Sequence, residues 1–132
     1  MKSVTALVLV IGAAIASASP EANICANEGG LYNITQLPEG ATYHRKCAAH
    51  PLGEPSAITN LHKRACAARR YGCEKGYCWK KCSTRDGPWC RQAFEYGVGD
   101  WVRCGGDSDC VPENLARADC GICDEPSCGC SC

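Results

Sequence analysis

The sequence predicts a small disulfide-rich α+β protein: one short helix, then an antiparallel sheet of two or three strands, then a loop-rich cysteine-dense C-terminal tail. Cysteine is the first observation behind this prediction, because the chain has 14 cysteines among 132 residues and such density is typical of small secreted scaffolds. The second is that only 13 residues after position 18 are Leu, Ile, Val or Phe, too few for a core without cross-links. The third is that apolar spacing changes from helical to alternating after Gly72.

Residues 1–18 are predicted to be a signal peptide. Lys2 precedes an apolar run from Val4 to Ala16, and Ala16-Ser17-Ala18 is a small-x-small cleavage site. The run is about 13 residues long, whereas a membrane-spanning helix needs about 20. We therefore expect a secreted, extracellular protein without a transmembrane segment.

All the cysteines are expected to form disulfides, since their number is even and the secretory lumen is oxidising. Their spacing leaves the pairing open. Closely spaced cysteines near the C-terminus could instead bind a soft metal, but oxidation favours disulfides, and we expect no metal and no cofactor. The cysteines are Cys25, Cys47, Cys66, Cys73, Cys78, Cys82, Cys90, Cys104, Cys110, Cys120, Cys123, Cys128, Cys130 and Cys132.

Two regions follow the signal peptide in the predicted organisation. Residues 19–55 form an irregular N-terminal segment with turn signals such as Gly29-Gly30. Asn33 begins a glycosylation sequon there, which predicts an exposed loop. Residues 56–132 form the disulfide-rich domain, which ends in an acidic tail that bridges must hold in place.

Residues 57–70 are predicted to be the helix. Ser56 can cap its start and Gly72 can end it. A rival hypothesis makes Lys63-Arg64 a dibasic processing site, although the helical pattern runs across it. The apolar residues at helical spacing are Ile58, Leu61, Ala65 and Ala68.

Alternating residues predict the strands of the sheet. The first strand lies within residues 77–82, and the second runs from Trp89 to Glu95 after a turn at Asp86-Gly87-Pro88. A third short strand is expected at residues 101–104. Alternation would place Tyr77, Trp79 and Lys81 on one outward face, with Cys78 and Cys82 turned toward the bridges.

Charge is distributed unevenly along the chain. Residues 61–91 carry nine basic and two acidic side chains, whereas residues 92–132 carry two basic and eight acidic ones. Either the basic region presents a face to an anionic partner, or the two halves pair with each other. Likewise, the tryptophans could belong to the contact face or to the core. The predicted contact residues are Tyr77, Trp79, Lys80, Lys81, Arg85 and Arg91.

No catalytic residues are predicted. His44, His50 and His62 lie far apart and outside known catalytic motifs. Size and cysteine number resemble those of secreted phospholipases A2, but that family needs a His-Asp pair, and here Lys63 follows His62. We therefore expect a protein that is not an enzyme.

One motif carries a partial resemblance. Gly76-Tyr77-Cys78-Trp79-x2-Cys82, followed by Trp89-Cys90, resembles a motif of secreted cysteine-rich arthropod proteins, which include venom and saliva components. The resemblance covers residues 66–104. It implies a toxin-like or effector-like protein in which Cys78, Cys82 and Cys90 form bridges.

These observations predict a monomeric binding protein that acts on an extracellular target through its basic and aromatic face. The target would be a channel, receptor or protease, or an anionic glycan, and nucleic acid is not expected. One alternative is an antimicrobial or membrane-active peptide released by processing. Another is a protease inhibitor, in which the loop from Ser83 to Pro88 enters a protease and Arg85 fills a trypsin-like pocket.

Overall fold

A four-stranded antiparallel sheet organises the protein, and its strands follow one another in chain order. The structure is a computed structural model that describes residues 20–52, 66–85, 87–123 and 130. The strands are β1 (Tyr71–Glu74), β2 (Tyr77–Lys81), β3 (Trp89–Ala93) and β4 (Asp119–Cys120). The helical segments are α1 (Pro20–Ile24) and three single 3₁₀ turns, Glu95–Gly97, Asp107–Cys110 and Pro112–Asn114.

A tight turn joins β1 to β2. Lys75 and Gly76 both have positive φ, 51° and 81°, as a two-residue type I′ hairpin turn requires. The turn places Cys73 opposite Cys78 in the β1–β2 register. In the β2–β3 register, Lys80 lies opposite Cys90. Each of the three strands β1, β2 and β3 thus contains one cysteine.

The predicted helix over residues 57–70 is not confirmed. Its described part, residues 66–70, is not helical, and residues 57–65 lie outside the described ranges. Ala67 instead forms an antiparallel bridge with Gly87, because cross-strand pairing outweighs local helix preference here. Gly72 does not end a helix but lies inside β1, where a Cβ atom would come within 2.9 Å of the Trp79 ring.

The two main predicted strands are confirmed as β2 and β3. The third predicted strand, at residues 101–104, is reduced to single bridges from Trp101 to Ala93 and from Arg103 to Tyr77. The sequence did not indicate β1 or β4. Both are short, and neither shows the apolar alternation that marks a strand.

Five disulfides join described cysteines, and Cys66 and Cys123 are disulfide-bonded as well. Four of the five span 30 to 48 residues: three link the region of β1–β3 to chain outside the strands, and Cys90–Cys120 joins β3 to β4. A loop of that length gives about 4 kcal/mol of stabilisation by restricting the unfolded chain. The pairs are Cys25–Cys47, Cys73–Cys104, Cys78–Cys110, Cys82–Cys130 and Cys90–Cys120.

The core consists of three small clusters of side chains, each only partly aliphatic. Cys78 and Cys110 contribute sulfur to one of them, beside Val102. The disulfides therefore supply part of the buried volume that aliphatic residues supply elsewhere. The other two clusters are Tyr77, Ala93 and Trp101, and Tyr32, Ala48 and Val98.

A buried arginine adds polar contacts between the N-terminal segment and the sheet region, beside the apolar packing of Tyr32 and Ala48 on Val98. The Arg45 guanidinium donates hydrogen bonds to the carbonyls of Gly97 (2.9 Å), Gly99 (3.4 Å), Ala48 (3.3 Å) and Ile122. Burial lowers the pKa of Arg45, against the opposing influence of Tyr32 and Asp100. A side chain of this segment therefore joins three separate parts of the chain.

A second buried charge supports this contact. The Glu95 side chain, 3% exposed, accepts a hydrogen bond from the Thr42 amide at 2.6 Å and pairs with Arg117 at 2.6 Å. Backbone and side-chain donors thus satisfy a buried carboxylate at the same interface.

None of the helices in the described ranges has the length and apolar character needed to span a membrane. The several disulfides fit an extracellular protein. The predicted signal peptide and the dibasic pair Lys63-Arg64 lie outside the described residues, as do Cys128 and Cys132.

Candidate functional site

The two aromatic residues of the predicted contact face are buried. Tyr77 is 6% exposed and Trp79 is 8% exposed. Tyr77 contacts the ring of His50, with 4.4 Å between centroids, and clusters with Trp101. Trp79 therefore takes the buried position that the sequence left open as the alternative to the contact face, and Tyr77 does not face outward, because His50 and Trp101 cover its ring.

Trp79 forms the floor of an apolar cavity at the outer side of β1. Its ring meets that of Trp89 edge to face, with centroids 5.7 Å apart. The Arg69 guanidinium lies 5.6 Å from the Trp79 ring centre, and that of Arg91 lies 5.4 Å from Trp89. Arg91, another predicted contact residue, is itself 8% exposed and bonds to Glu74. These residues brace the sheet rather than present a surface.

Basic side chains of the middle region pair with acidic ones from the end of the chain. Arg69 contacts Asp107 at 2.5 Å, Lys80 contacts Asp119 at 2.6 Å, and Arg70 contacts Glu113. Of the two interpretations that charge patterning left open, mutual neutralisation accounts for these three cations.

Hydrogen bonds hold the carboxylates of these pairs in their charged form. The Cys73 amide, which donates to Asp107 at 2.7 Å, and Arg69 together lower the pKa of Asp107. Burial would raise the pKa of Asp119, but hydrogen bonds from Lys80 and the Cys120 amide bring it below its ordinary value. The acidic end is thus bound to the sheet as carboxylates.

A basic cleft lies where β2 leaves the sheet. It has a volume of 400 Å³, and we call it the hairpin-end cleft. Among the described residues, its lining includes three cationic side chains and two hydroxyl side chains but no carboxylate. The lining residues are Arg70, Lys80, Lys81, Cys82, Ser83, Thr84 and Pro112.

The rim of this cleft continues into an exposed loop. Ser83, Thr84 and Arg85 are exposed, and disulfides at Cys82 and Cys90 fix the strands on either side. The Cys82 amide also donates to the Pro88 carbonyl at 3.0 Å. Three of the six predicted contact residues, Lys80, Lys81 and Arg85, therefore lie together at one end of the sheet.

Two of the three cleft cations, Arg70 and Lys80, pair with exposed carboxylates. Glu113 and Asp119, which pair with Arg70 and Lys80, have side chains that are 54% and 58% exposed. Exposed ion pairs contribute about 0–1 kcal/mol. An anion entering the cleft could therefore replace these carboxylates at little cost.

Other candidate residues lie away from the cleft. Asn33 is exposed in a loop with no regular structure, as its sequon predicts, and Thr35 is exposed beside it. His44 is exposed and His50 is buried among aromatic rings, whereas His62 lies outside the described ranges.

The buried position of Arg45 and its environment were not predicted from the sequence. Arg45 stands between the rings of Tyr32 and Trp101, 4.4 and 4.3 Å from their centres. It also lines a 450 Å³ cavity with Lys46 and Asp100. Nothing in the sequence around Arg45 distinguishes it from an ordinary surface arginine, since its contacts come from distant parts of the chain.

Comparison of the chain with protein-family models, with curated proteins and with solved structures found no match.

Proposed function

We propose that this protein is a secreted, non-enzymatic, toxin-like or effector-like binding protein that recognises an anionic glycan through the hairpin-end cleft. The observation that carries the proposal is the grouping of Arg70, Lys80 and Lys81 in one cleft, whose described lining residues include no carboxylate. Sulfate and carboxylate groups of a glycan would accept hydrogen bonds from these cations. The hydroxyls of Ser83 and Thr84 would add neutral hydrogen bonds to sugar oxygens.

Rigidity supports this proposal. Disulfides fix both strands that lead into the exposed loop, so little backbone order remains to be gained on binding. The buried Tyr77 and Trp79 keep β2 in place beneath the cleft. Their role is to position the cations, and the contact surface is smaller than the six residues predicted from sequence.

Heparin provides a suitable probe of the cleft. We expect Lys81→Glu to weaken heparin binding about tenfold at physiological salt, because it places a carboxylate inside the cleft. Lys75→Glu is the matched control: Lys75 is exposed at the β1–β2 turn, at the other end of β2, and its substitution changes net charge equally. Titration calorimetry measures both affinities.

Two outcomes would overturn the glycan proposal. Equal weakening by Lys81→Glu and Lys75→Glu would show that heparin responds to net charge and not to the cleft. Unchanged binding in Lys81→Glu would show that the cleft is not used. Near-ultraviolet circular dichroism establishes that each variant keeps the folded environment of its aromatic residues.

The exposed loop favours a second candidate function, inhibition of trypsin-like proteases. Arg85 is exposed between two strands that disulfides fix, and an arginine is the side chain that a trypsin-like specificity pocket accepts. The test is incubation with trypsin and with the Arg85→Ala variant as control. Prompt cleavage after Arg85 without loss of trypsin activity would contradict inhibition.

Secretion and glycosylation belong to the same proposal. The exposed position of Asn33 supports its use as a glycan acceptor. Expression through a eukaryotic secretory pathway tests both expectations: the mature chain should begin after Ala18, and peptide N-glycosidase should reduce its mass. A chain that retains residues 1–18, or that loses no mass on treatment, would contradict the corresponding part.

A further inference from the structure

Two disulfides lie in direct contact at the end of the sheet. The Sγ atom of Cys120 is 4.0 Å from that of Cys82 and 3.8 Å from that of Cys130. All four sulfur atoms of Cys82–Cys130 and Cys90–Cys120 lie within 4.8 Å of one another. We call these four atoms the sulfur cluster.

The dimensions of the sulfur cluster match those of a tetrahedral metal–thiolate site. A zinc–sulfur bond is about 2.3 Å long, which places neighbouring sulfurs of a tetrahedron about 3.8 Å apart. Two of the four contacts between the disulfides, at 3.8 and 4.0 Å, are already close to this length, and the other two lie within 4.8 Å. The two bonded pairs would have to separate by about 1.8 Å each when their bonds are opened.

The backbone holds three of these sulfurs in place independently of the disulfides. Cys90 belongs to β3 and is fully buried, and Cys120 belongs to β4, where it pairs with Gln92 of β3. Cys82 follows β2 directly and is fixed by its amide hydrogen bond to Pro88. Strand hydrogen bonds would therefore keep three thiols together after reduction, and only Cys130 comes from the tail.

Nearby charge also suits a metal site. A divalent ion with four thiolates carries two net negative charges, which need compensation. Lys80 lies opposite Cys90 in the strand register, and Lys81 precedes Cys82 in the chain. Both lysines line the cleft that also includes Cys82, and the Lys80 ammonium is bound to the carboxylate of Asp119, the neighbour of Cys120.

A second sulfur group in the described part of the chain is less complete. Cys73, Cys104 and Cys110 also have sulfurs within 4.8 Å of one another, but they supply three ligands rather than four. Structural zinc sites are almost always four-coordinate. The second group therefore serves as an internal control.

We propose that Cys82, Cys90, Cys120 and Cys130 form a latent tetrathiolate site that binds one soft metal ion, Zn²⁺ or Cd²⁺, once a thiol reductant has opened both disulfides. Opening the two bonds takes four electrons and four protons, supplied by two dithiol molecules that become cyclic disulfides. The metal then replaces the thiol protons, which pass to solvent, and four metal–sulfur bonds form. The same four sulfur atoms cannot form the disulfides and bind the metal at once, so the redox state of these cysteines would control metal binding.

The experiment uses the folded full chain and Cd²⁺. Limited treatment with dithiothreitol, removed under anaerobic conditions, is followed by alkylation mapping of an aliquot to identify the opened disulfides. Native mass spectrometry then counts the bound Cd²⁺ ions, and competition with a chelator gives the affinity. We expect one Cd²⁺ per chain when both disulfides of the cluster are open and none when they are closed.

Matched cysteine variants locate the site. Cys82→Ser/Cys130→Ser removes one disulfide and half of the cluster, and should weaken Cd²⁺ binding about 100-fold or more. Cys73→Ser/Cys104→Ser removes one disulfide from the second group, and should bind Cd²⁺ as the parent does. If the first variant does not fold, Cys90→Ser/Cys120→Ser tests the same cluster from its other disulfide.

Three results would overturn the inference. One is equal loss of affinity in the cluster variant and the control variant, which would indicate binding by any free thiols. Another is a bound ratio other than one Cd²⁺ per chain. The third is that reduction abolishes the near-ultraviolet circular dichroism signal and Cd²⁺ does not restore it. The strands would then not hold the sulfur atoms together.

Discussion

The N-terminal segment and the sheet region are fastened by different means. One disulfide, Cys25–Cys47, closes the N-terminal segment on itself. Its attachment to the sheet region combines the packing of Tyr32, Ala48 and His50 with the polar contacts of two buried charges, Arg45 and Glu95. The sheet region instead has four disulfides, of which three tie it to chain outside the strands and one joins β3 to β4. The difference shows two ways in which a chain poor in aliphatic residues can remain folded: covalent closure, and non-covalent packing with satisfied buried charge.

The largest expected effect comes from removing a disulfide of the sheet region. Cys78→Ala/Cys110→Ala should lower the free energy of unfolding by about 5 kcal/mol, of which about 4 come from chain entropy and about 1 from lost packing. Cys25→Ala/Cys47→Ala should cost about 3 kcal/mol, and should increase hydrogen exchange mainly in residues 25–50. Urea denaturation measures the free energies. A larger loss from the N-terminal pair would reverse the comparison.

The next effect tests the buried charge. Arg45→Met keeps most of the side-chain volume but removes every donor to the four carbonyls, and should cost about 3 kcal/mol. The loss should appear first as faster amide exchange in the N-terminal segment, with the sheet still protected. Lys75→Met, at the exposed hairpin turn, is the control and should change stability by less than about 0.5 kcal/mol. Equal effects would show that Arg45 does not fasten the segment.

A smaller effect concerns the β1–β2 turn. Gly76 has a φ of +81°, and a Cβ atom there would meet nothing within 4 Å. Gly76→Ala should therefore cost about 1 kcal/mol through backbone strain alone, without change to the N-terminal segment. Gly30 in the N-terminal segment has a φ of +78° and equally open space. Gly30→Ala should therefore also cost about 1 kcal/mol. A cost above about 2 kcal/mol at either site would show that strain is not the only term.

The smallest expected effect is the acid sensitivity of the ion pairs. The folded-state pKa of Asp107 is lowered by the Cys73 amide and Arg69. Its stabilisation is therefore complete above the unfolded pKa of about 3.9, and is lost as pH falls through the lower folded value. Asp107→Asn should make stability fall less steeply with acid, whereas Glu39→Gln, at an exposed position, should leave the slope unchanged. Urea denaturation between about pH 5 and pH 2 measures the slopes.

The sequence predicted what depends on local pattern and on cysteine chemistry. Alternation located β2 and β3, and the cysteine number predicted disulfides. Alternation did not locate β1, because the four residues Tyr71–Glu74 include a glycine and too few apolar positions to show a two-residue period. Helical spacing predicted a helix over residues 57–70. In residues 66–70 of that range the backbone is not helical, because Ala67 pairs with Gly87.

The candidate site was only partly predictable for a related reason. Alternation shows which residues share a face of a strand, but not what covers that face. Tyr77 is covered by residues as distant as His50 and Trp101, and Trp79 contacts Trp89. The charge pattern likewise gave the cations of the cleft but not their partners, because the pairing of Arg70 with Glu113 spans 43 residues.

The contacts of Arg45 have a consequence for the order in which the chain assembles. Its carbonyl acceptors include Gly97, Gly99 and Ile122, all made by the ribosome long after Arg45 itself. Cys25 and Cys47 can join as soon as they emerge, yet the loop they close has nowhere to dock until the chain beyond β3 has been synthesised and folded. The N-terminal segment therefore cannot complete its native contacts until residues 97–122 have been synthesised.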